Sequence, residues 1–398
     1  MKRLCLNFIC KNESHVINRM LESSKSVVDL IVAVDTGSTD NTIELIEEFG
    51  KKNKIPTYVF ERTFDNFGNS RNYAMDKLRE TAKQIGWDLS NTWGFWYDCD
   101  EQLMVNNNFD KSKLDKDLYM LNAHIGVMKY TRNTVFRLNA PVKWYGPVHE
   151  FITPTNPNIT SGLIEGIEIN VSMDGGSWKE GNIQKKYRDH ATVLENYINN
   201  EDRDPRWIFY TAQSYHDSAN VPNNKAENDE RLRRSAKYYK ERVENPGGYH
   251  EERYYSQYRL GVIYKVLDRP WSETKGELLK AYSMDPLRGE SIKVIIDYYQ
   301  QIGDWNLSYL YSLFALNSFH NQSPYPNRLL FVDSALYIWK FLETHATSCF
   351  YTNRIKEGRD CFKQLVNILD RNPEHFSEHD RQRIETNSRH FLSETQTT

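Results

Sequence analysis

The sequence predicts two kinds of structure in series: an α/β part with a mostly parallel sheet, then an all-α part of helical repeats. Three observations carry this. Through the first hundred residues, short β-branched or aromatic runs alternate with segments of 3.6-residue periodicity, the pattern of βα units. Each predicted strand runs into a polar cluster. From about residue 183 the β-branched runs disappear, and helical periodicity with abundant tyrosine takes over. A chain of 398 residues is long enough for two or three domains, which we bound at 1–180, 181–322 and 323–398.

The first strand is predicted at Leu4–Ile9, followed by a loop, Cys10-Lys11-Asn12-Glu13-Ser14. Val16, Ile17, Met20 and Leu21 then recur at helical spacing. Asp29–Asp35 is a continuous apolar run of the kind buried in a parallel sheet. Thr36-Gly37-Ser38-Thr39-Asp40 is a turn rich in helix-capping residues, and the next helix shows Ile43, Ile46 and Phe49 on one face. Thr57–Glu61 is a third strand, Ser70–Gln84 a third helix and Trp93–Asp98 a fourth strand. The order βαβαβαβ implies parallel strands with helices on both faces, and in such sheets ligands sit beyond the carboxyl ends of the strands. The polar clusters fall there: Lys11-Asn12-Glu13, Asp35 and its turn, Asn69-Ser70-Arg71-Asn72, and Asp98-Cys99-Asp100.

The last cluster is the most informative. Asp98, Asp100 and Glu101 repel one another unless something cationic sits between them. In an extended segment Asp98 and Asp100 would point the same way. Hard divalent ions are commonly held by one or two carboxylates plus phosphate oxygens, so an Asp-x-Asp here suggests a metal shared with a phosphorylated ligand. No Gly-x-Gly-x-x-Gly follows the first strand and no Gly-x-x-x-x-Gly-Lys-Ser/Thr occurs, which sets aside dinucleotide and Walker-type sites. Asp35 at a strand end and Arg71 at a helix start could instead hold a base and a diphosphate.

Composition narrows the partners. The net charge of −3 demands neither nucleic acid nor an anionic membrane. The basic run Arg231–Arg242 includes Tyr238 and Tyr239, but its interleaved Glu241 fits a solvated helix face better than a nucleic-acid grip. Five cysteines, odd in number and without a Cys-x-x-Cys pair, fit reduced thiols. The N-terminal apolar run is too short for a signal peptide and no later stretch could span a bilayer, so a soluble cytoplasmic protein is expected.

In the helical part, Gln184–Asn200 is a long amphipathic helix and Pro205 opens the next. Leu260-Gly261-Val262-Ile263-Tyr264 fits the Leu-Gly-x-x-Tyr core of a tetratricopeptide repeat, and Tyr298 follows Tyr264 by 34 residues, the repeat period. Tyr215 precedes Tyr264 by 49, one repeat plus a 15-residue insertion, which the polar run 220–230 could accommodate. Asp285-Pro286 marks a repeat end. Beyond Ser323-Pro324-Tyr325-Pro326 the pattern weakens, although Leu336–Leu342 and Cys361–Leu369 still read as helical; Ser393–Thr398 reads as a frayed tail.

Taken in order, several pieces resemble the family 2 glycosyltransferases of the GT-A fold, in the branch followed by tetratricopeptide-like helices. They are Cys10-Lys11-Asn12-Glu13, Val34–Thr42, Phe67–Ala74, Trp96-Tyr97-Asp98-Cys99-Asp100-Glu101, Phe136-Arg137-Leu138 and Tyr145-Gly146-Pro147-Val148-His149-Glu150. The resemblance implies roles. Asn12 and Glu13 would lie beside the nucleotide, Asp35 would bond the base, and Arg71 would contact base or diphosphate. Asp98 would contact the ribose or the metal, and Asp100 would be the main ligand of Mn²⁺ or Mg²⁺. His149 would be a metal or phosphate-side group. Glu150 would be the general base for the acceptor hydroxyl, with Glu101 its rival. One departure stands out: Asp174 occupies a position where the family usually has histidine, so the third metal ligand is open between His149 and Asp174. The segment Gly175-Gly176-Ser177-Trp178-Lys179 is either a lid over the donor or a linker.

The resemblance thus implies metal-dependent, inverting transfer of a hexose from a nucleotide sugar, UDP-glucose or a related UDP-hexose, to a hydroxyl of a glycan or protein. The alternatives are transfer onto a peptide side chain or a hydroxylated DNA base, and a non-catalytic repeat scaffold that binds peptides. The helices would select the acceptor, mediate a homodimer or buttress the catalytic part.

Overall fold

A computed structural model describes residues 1–125, 128–176, 183–323, 328 and 330–392. Of the features read above, Ser177–Lys179, Pro324–Pro326 and the tail Ser393–Thr398 lie outside the described residues. The chain forms two compact units, Met1–Asp202 and Arg203–Thr398.

The first unit begins with β1 (Arg3–Cys10), α1 (Ile17–Ser24), β2 (Leu30–Asp35), α2 (Thr42–Asn53), β3 (Thr57–Glu61), α3 (Phe67–Gln84) and β4 (Thr92–Phe95). It continues with β5 (Glu101–Val105), β6 (Leu118–Ile125), β7 (Met128–Arg137), β8 (Val142–Tyr145), β9 (Phe151–Pro154), β10 (Ser161–Val171) and α4 (Ile183–Asn200). Eight strands form one sheet in the order β3-β2-β1-β4-β7-β6-β10-β5, and β8 and β9 form a separate hairpin. The first four strands pair in parallel, as do β6 and β10, while β7 runs antiparallel to β4 and β6, and β5 antiparallel to β10. This is the mostly parallel sheet the sequence predicts.

Strand burial explains the apolar runs. Every residue of β2 is buried, because helices cover both faces. Leu4, Leu6 and Phe8 of β1 enter one core with Ile17 and Leu21 of α1, while Cys5 enters the other with Met75 and Leu78 of α3.

One element departs from expectation. β4 stops at Phe95, not at Asp98, and Cys99–Asp100 is a turn rather than extended chain. Asp98 and Asp100 therefore do not share a face by strand alternation. The side chain of Glu101 closes this turn: the Asp98 N–H donates to its Oε2 at 2.8 Å, and the Glu101 N–H donates to the Asp98 carbonyl at 3.0 Å. That local bonding outcompetes continuation of the ladder.

Gly68 shows why the Phe67-Gly68-Asn69 run tolerates no side chain there. A Cβ on Gly68 would lie 2.2 Å from the Gly146 carbonyl oxygen. The turn after β8 docks on the first turn of α3, where the Phe67 N–H donates to the Pro147 carbonyl at 3.1 Å. Gly68→Ala is expected to lower stability by about 1–3 kcal/mol, the usual cost of overpacking. Urea denaturation monitored by circular dichroism checks this, and an unchanged midpoint would show that the turn does not pack on α3 in solution.

The second unit is helical: α5 (Pro205–Asp217), α6 (Lys225–Glu244), α7 (His250–Val266), α8 (Trp271–Met284), α9 (Glu290–Gln301), α10 (Trp305–Phe319), α11 (Phe341–Tyr351), α12 (Ile355–Arg371) and α13 (Glu378–Leu392). Each helix packs on its successor in sequence, the local stacking of a helical repeat array. A wide helical turn, Leu336–Lys340, leads into α11. The glycine of Leu-Gly-x-x-Tyr is explained by contact: a Cβ on Gly261 would meet the Leu278 side chain at 2.7 Å, so it permits close approach of α7 and α8. The polar run 220–230 is only partly a loop, since α6 starts at Lys225 with the Asn224 side chain capping it through the Glu227 N–H at 3.1 Å.

Candidate active site

The sheet delivers the polar clusters to one edge. Asp35 ends β2 and is buried. Its Oδ2 accepts from the N–H groups of Gly37 and Ser38, both at 2.8 Å, and its Oδ1 from the Ser38 hydroxyl. Asn12, in a left-handed conformation with φ of 57°, joins the loops after β1 and β2. Its N–H donates to Ser38 Oγ at 2.9 Å and its Oδ1 accepts from the Thr39 N–H at 2.7 Å. Asp35 and Asn12 thus shape one rigid loop pair at the edge. The Glu13 carboxylate accepts from the Gly176 N–H at 3.2 Å, tying the segment after β10 to the loop after β1.

Arg71 is the centre of the second cluster. Its side chain is 7% exposed; Nη2 donates to Asp98 Oδ1 at 2.6 Å and Nε to Glu150 Oε1 at 2.7 Å. The guanidinium packs against the rings of Trp96 and Trp144, 4.7 and 5.0 Å from their centroids. Asn72 holds β8 in place by a reciprocal pair with the Trp144 backbone, at 2.9 and 2.8 Å. Glu150 lies in the β8–β9 connection, so the hairpin carries it to α3. Burial works to raise the Asp98 pKa, but the charges of Arg71 and Arg132 outweigh it and hold the carboxyl below its ordinary range.

Glu101 is fully buried and paired with Arg132 of β7, whose guanidinium stacks on Trp96 at 4.6 Å. Burial pushes its pKa up. It braces the Asp98 turn and offers no accessible oxygen surface to an acceptor. Asp100 is only partly buried. Burial first, and the charge of Asp98 second, push its pKa above the ordinary value. A Cβ on Gly175 would sit 3.0 Å from Asp100 Oδ2, so the backbone after β10 forms a cradle that only glycine leaves open.

The two remaining ligand candidates go elsewhere. Asp174 forms a two-pronged ion pair with Arg19 of α1, with Nη1–Oδ2 at 2.6 Å. His149, at φ of 55°, turns its ring edge-to-face toward His190 of α4 at 5.9 Å. Burial and the neighbouring Lys186 push His190 down to about 4, so its imidazole is neutral at pH 7. Lys186 stands in the field of Asp100 and Asp98, and burial drives its pKa down against those charges.

Sequence reasoning missed Arg132, Arg19, Lys186 and His190. Arg132 lies on β7, beyond the last strand the sequence predicts, so no pattern marked it; for the α4 pair, periodicity marks a helix but not what faces it.

The donor set can be tested against a divalent ion. Among the described residues, no three His, Cys, Asp or Glu side chains converge at this edge. Asp98 and Asp100 are the two carboxylates available, burial and the Asp98 charge disfavour a bare Asp100 carboxylate, and the Gly175 cradle leaves room beside it. These features fit a Mg²⁺- or Mn²⁺-type ion that completes its shell with ligand oxygens rather than an all-protein cage.

Residues 8–105 match the model of the glycosyl transferase family 2. The chain is 26% identical over 218 residues to the SPbeta prophage-derived glycosyltransferase SunS of Bacillus subtilis, covering 52% of this chain and 48% of that one. It is 34% identical over 67 residues to an uncharacterized glycosyltransferase of Rickettsia felis, covering 16% of this chain and 24% of the relative. The chain thus spans at most about half the length of these relatives. Among solved structures, S. aureus TarS 1–349 shows a TM-score of 0.34 at 13% identity, covering 69% of this chain and 92% of that one. Its complex with UDP shows a TM-score of 0.33 at 11% identity, covering 70% and 89%. No helix among the described residues is long and apolar enough to cross a membrane, and all five cysteines are free and buried.

Proposed function

Because residues 8–105 match the family 2 glycosyltransferase model, we propose that the first unit transfers a hexose from a nucleoside-diphosphate sugar, a UDP-hexose by preference, to an acceptor hydroxyl. The observation that carries this reading is the Arg71 clamp, which holds one carboxylate at the β4 end and one from the β8–β9 hairpin on a single buried cation. The loop pair of Asn12, Glu13 and Asp35 receives the nucleoside. Asp98 and Asp100 hold Mg²⁺ or Mn²⁺, which when bound supplies positive charge to the leaving diphosphate. Asp174 and His149 are not needed as ligands in this reading, since Asp174 is neutralised by Arg19.

The acceptor oxygen attacks the anomeric carbon as the bond from that carbon to the diphosphate oxygen breaks, with inversion. The acceptor proton passes to Glu150, whose Oε1 is anchored by Arg71 and whose second oxygen serves as base. Glu101 is a positioning residue: through Arg132 and the Asp98 N–H it fixes the turn that presents Asp98 and Asp100. Lys186 adds charge on the diphosphate side. The helical residues, in the two parts 181–322 and 323–398, select the acceptor.

The test is nucleotide release from a panel of UDP-, GDP- and TDP-sugars without acceptor, first with Mn²⁺ and then with EDTA. Slow hydrolysis of one donor, abolished by EDTA, is expected. Calorimetry that finds no binding of any nucleotide sugar would sink the reading.

A further inference from the structure

The second unit holds a group of side chains that no transfer chemistry uses. His345 and Cys349 lie one turn apart on α11 and Glu357 lies on α12, with one potential ligand atom from each within 4.8 Å of the others. His345 Nε2 is 3.0 Å from Glu357 Oε1 and 3.4 Å from Cys349 Sγ. The histidine and the cysteine are completely buried, whereas the Glu357 side chain is 39% exposed.

The protons around His345 determine what Nε2 can do. The Ser312 hydroxyl donates to the Tyr309 carbonyl at 3.1 Å, an ordinary within-helix bond. The same hydroxyl lies 2.9 Å from His345 Nδ1 and can accept from the ring or donate to it. With the ring proton on Nδ1, Nε2 turns its lone pair toward both Glu357 Oε1 and Cys349 Sγ, the direction a shared cation would occupy. A cation among the three donors would take that lone pair together with a carboxylate oxygen and the Cys349 sulfur.

We propose that His345, Cys349 and Glu357 form a zinc site in the helical unit, with water in the fourth position on the exposed Glu357 side. Zinc bonds to imidazole, carboxylate and thiolate imply tetrahedral edges of roughly 3.3–3.6 Å, so the observed 3.0 and 3.4 Å need changes of only tenths of an ångström. Zn²⁺ displaces the thiol proton to solvent, and one thiolate with one carboxylate neutralises its charge. The outer contacts are already made. Ser312 Oγ is placed to accept from Nδ1–H of a metal-bound imidazole, and the Tyr309 hydroxyl donates to Glu357 at 3.1 Å. The site would staple α11 to α12, and it stands whether or not the first unit is a transferase.

The experiment uses the full chain stripped with EDTA and titrated with Co²⁺, then with Zn²⁺ against a chromophoric chelator. Wild type should bind one equivalent of Co²⁺ with tetrahedral visible bands and a thiolate-to-cobalt charge-transfer band, and Zn²⁺ should displace it. Cys349→Ser should lose the charge-transfer band. Glu357→Gln, at a half-exposed position that tolerates the change, should weaken Zn²⁺ by about tenfold or more. Asp100→Ala should keep the band, which separates this site from one using Cys99. The proposal is overturned if wild type shows no charge-transfer band, if Asp100→Ala removes it, or if Glu357→Gln binds Zn²⁺ as wild type does. The last comparison decides even if Cys349→Ser fails to fold.

Discussion

Arg71→Ala will lose about 3–5 kcal/mol of stability, because it leaves the buried Glu150 and the Asp98 carboxylate without their shared cation. Two losses should coincide: a fall in the thermal midpoint, and loss of donor hydrolysis even at temperatures where the variant is folded. Arg71→Lys separates them. Lysine restores a charge but cannot direct two fixed N–H groups at two carboxylates, so it should recover much of the stability and little of the activity. Hydrolysis is expected about 100-fold below wild type, the lower range for loss of a positioned acid–base group. Wild-type rates in Arg71→Lys would mean that the clamp is structural only.

Asp100→Asn will move stability and activity in opposite directions. Burial and the Asp98 charge hold the Asp100 carboxyl above its ordinary pKa, so the folded state binds its proton more tightly than the unfolded state does. The stability contributed by this protonation is present below the unfolded pKa and is lost as pH rises through the folded one. In EDTA at neutral pH the wild type therefore bears the cost of a carboxylate held partly out of water beside the Asp98 charge. Asp100→Asn should melt at the same temperature or higher, with a flatter pH dependence on the acid side. Mn²⁺-dependent donor hydrolysis should fall by about 10²–10³-fold, as for other lost electrostatic stabilisers. A residue that costs stability and supplies activity is placed for function. A variant that melts lower in EDTA would instead mark Asp100 as a structural acid.

Much of this was readable from particular residues. Continuous apolar runs such as Leu30–Val34 announce strands buried on both faces, and the βα alternation up to residue 95 dictates parallel order with the polar clusters at one edge. The Leu-Gly-x-x-Tyr pattern at Leu260–Tyr264 announced a helical part, and the reason for its glycine is the Leu278 side chain packed against it. The end of β4 was misjudged because Trp96 and Tyr97 have strand propensity. Only the Glu101 side chain, held by Arg132 from a distant strand, makes the turn at Cys99–Asp100 preferable.

By itself the sequence determined what depends on local period and on residue order: the fold class, the ordered motifs and the sheet edge where the polar clusters gather. Tertiary structure alone decided which charges meet. Arg71 reaches Glu150, 79 positions away, and Asp174 is claimed by Arg19 across 155 positions. Glu357 meets His345 only because α11 and α12 pack together. Hydrophobic periodicity is a short-range signal. Ion pairing instead follows from three-dimensional proximity and from the cost of burying an uncompensated charge, and neither is encoded in spacing along the chain.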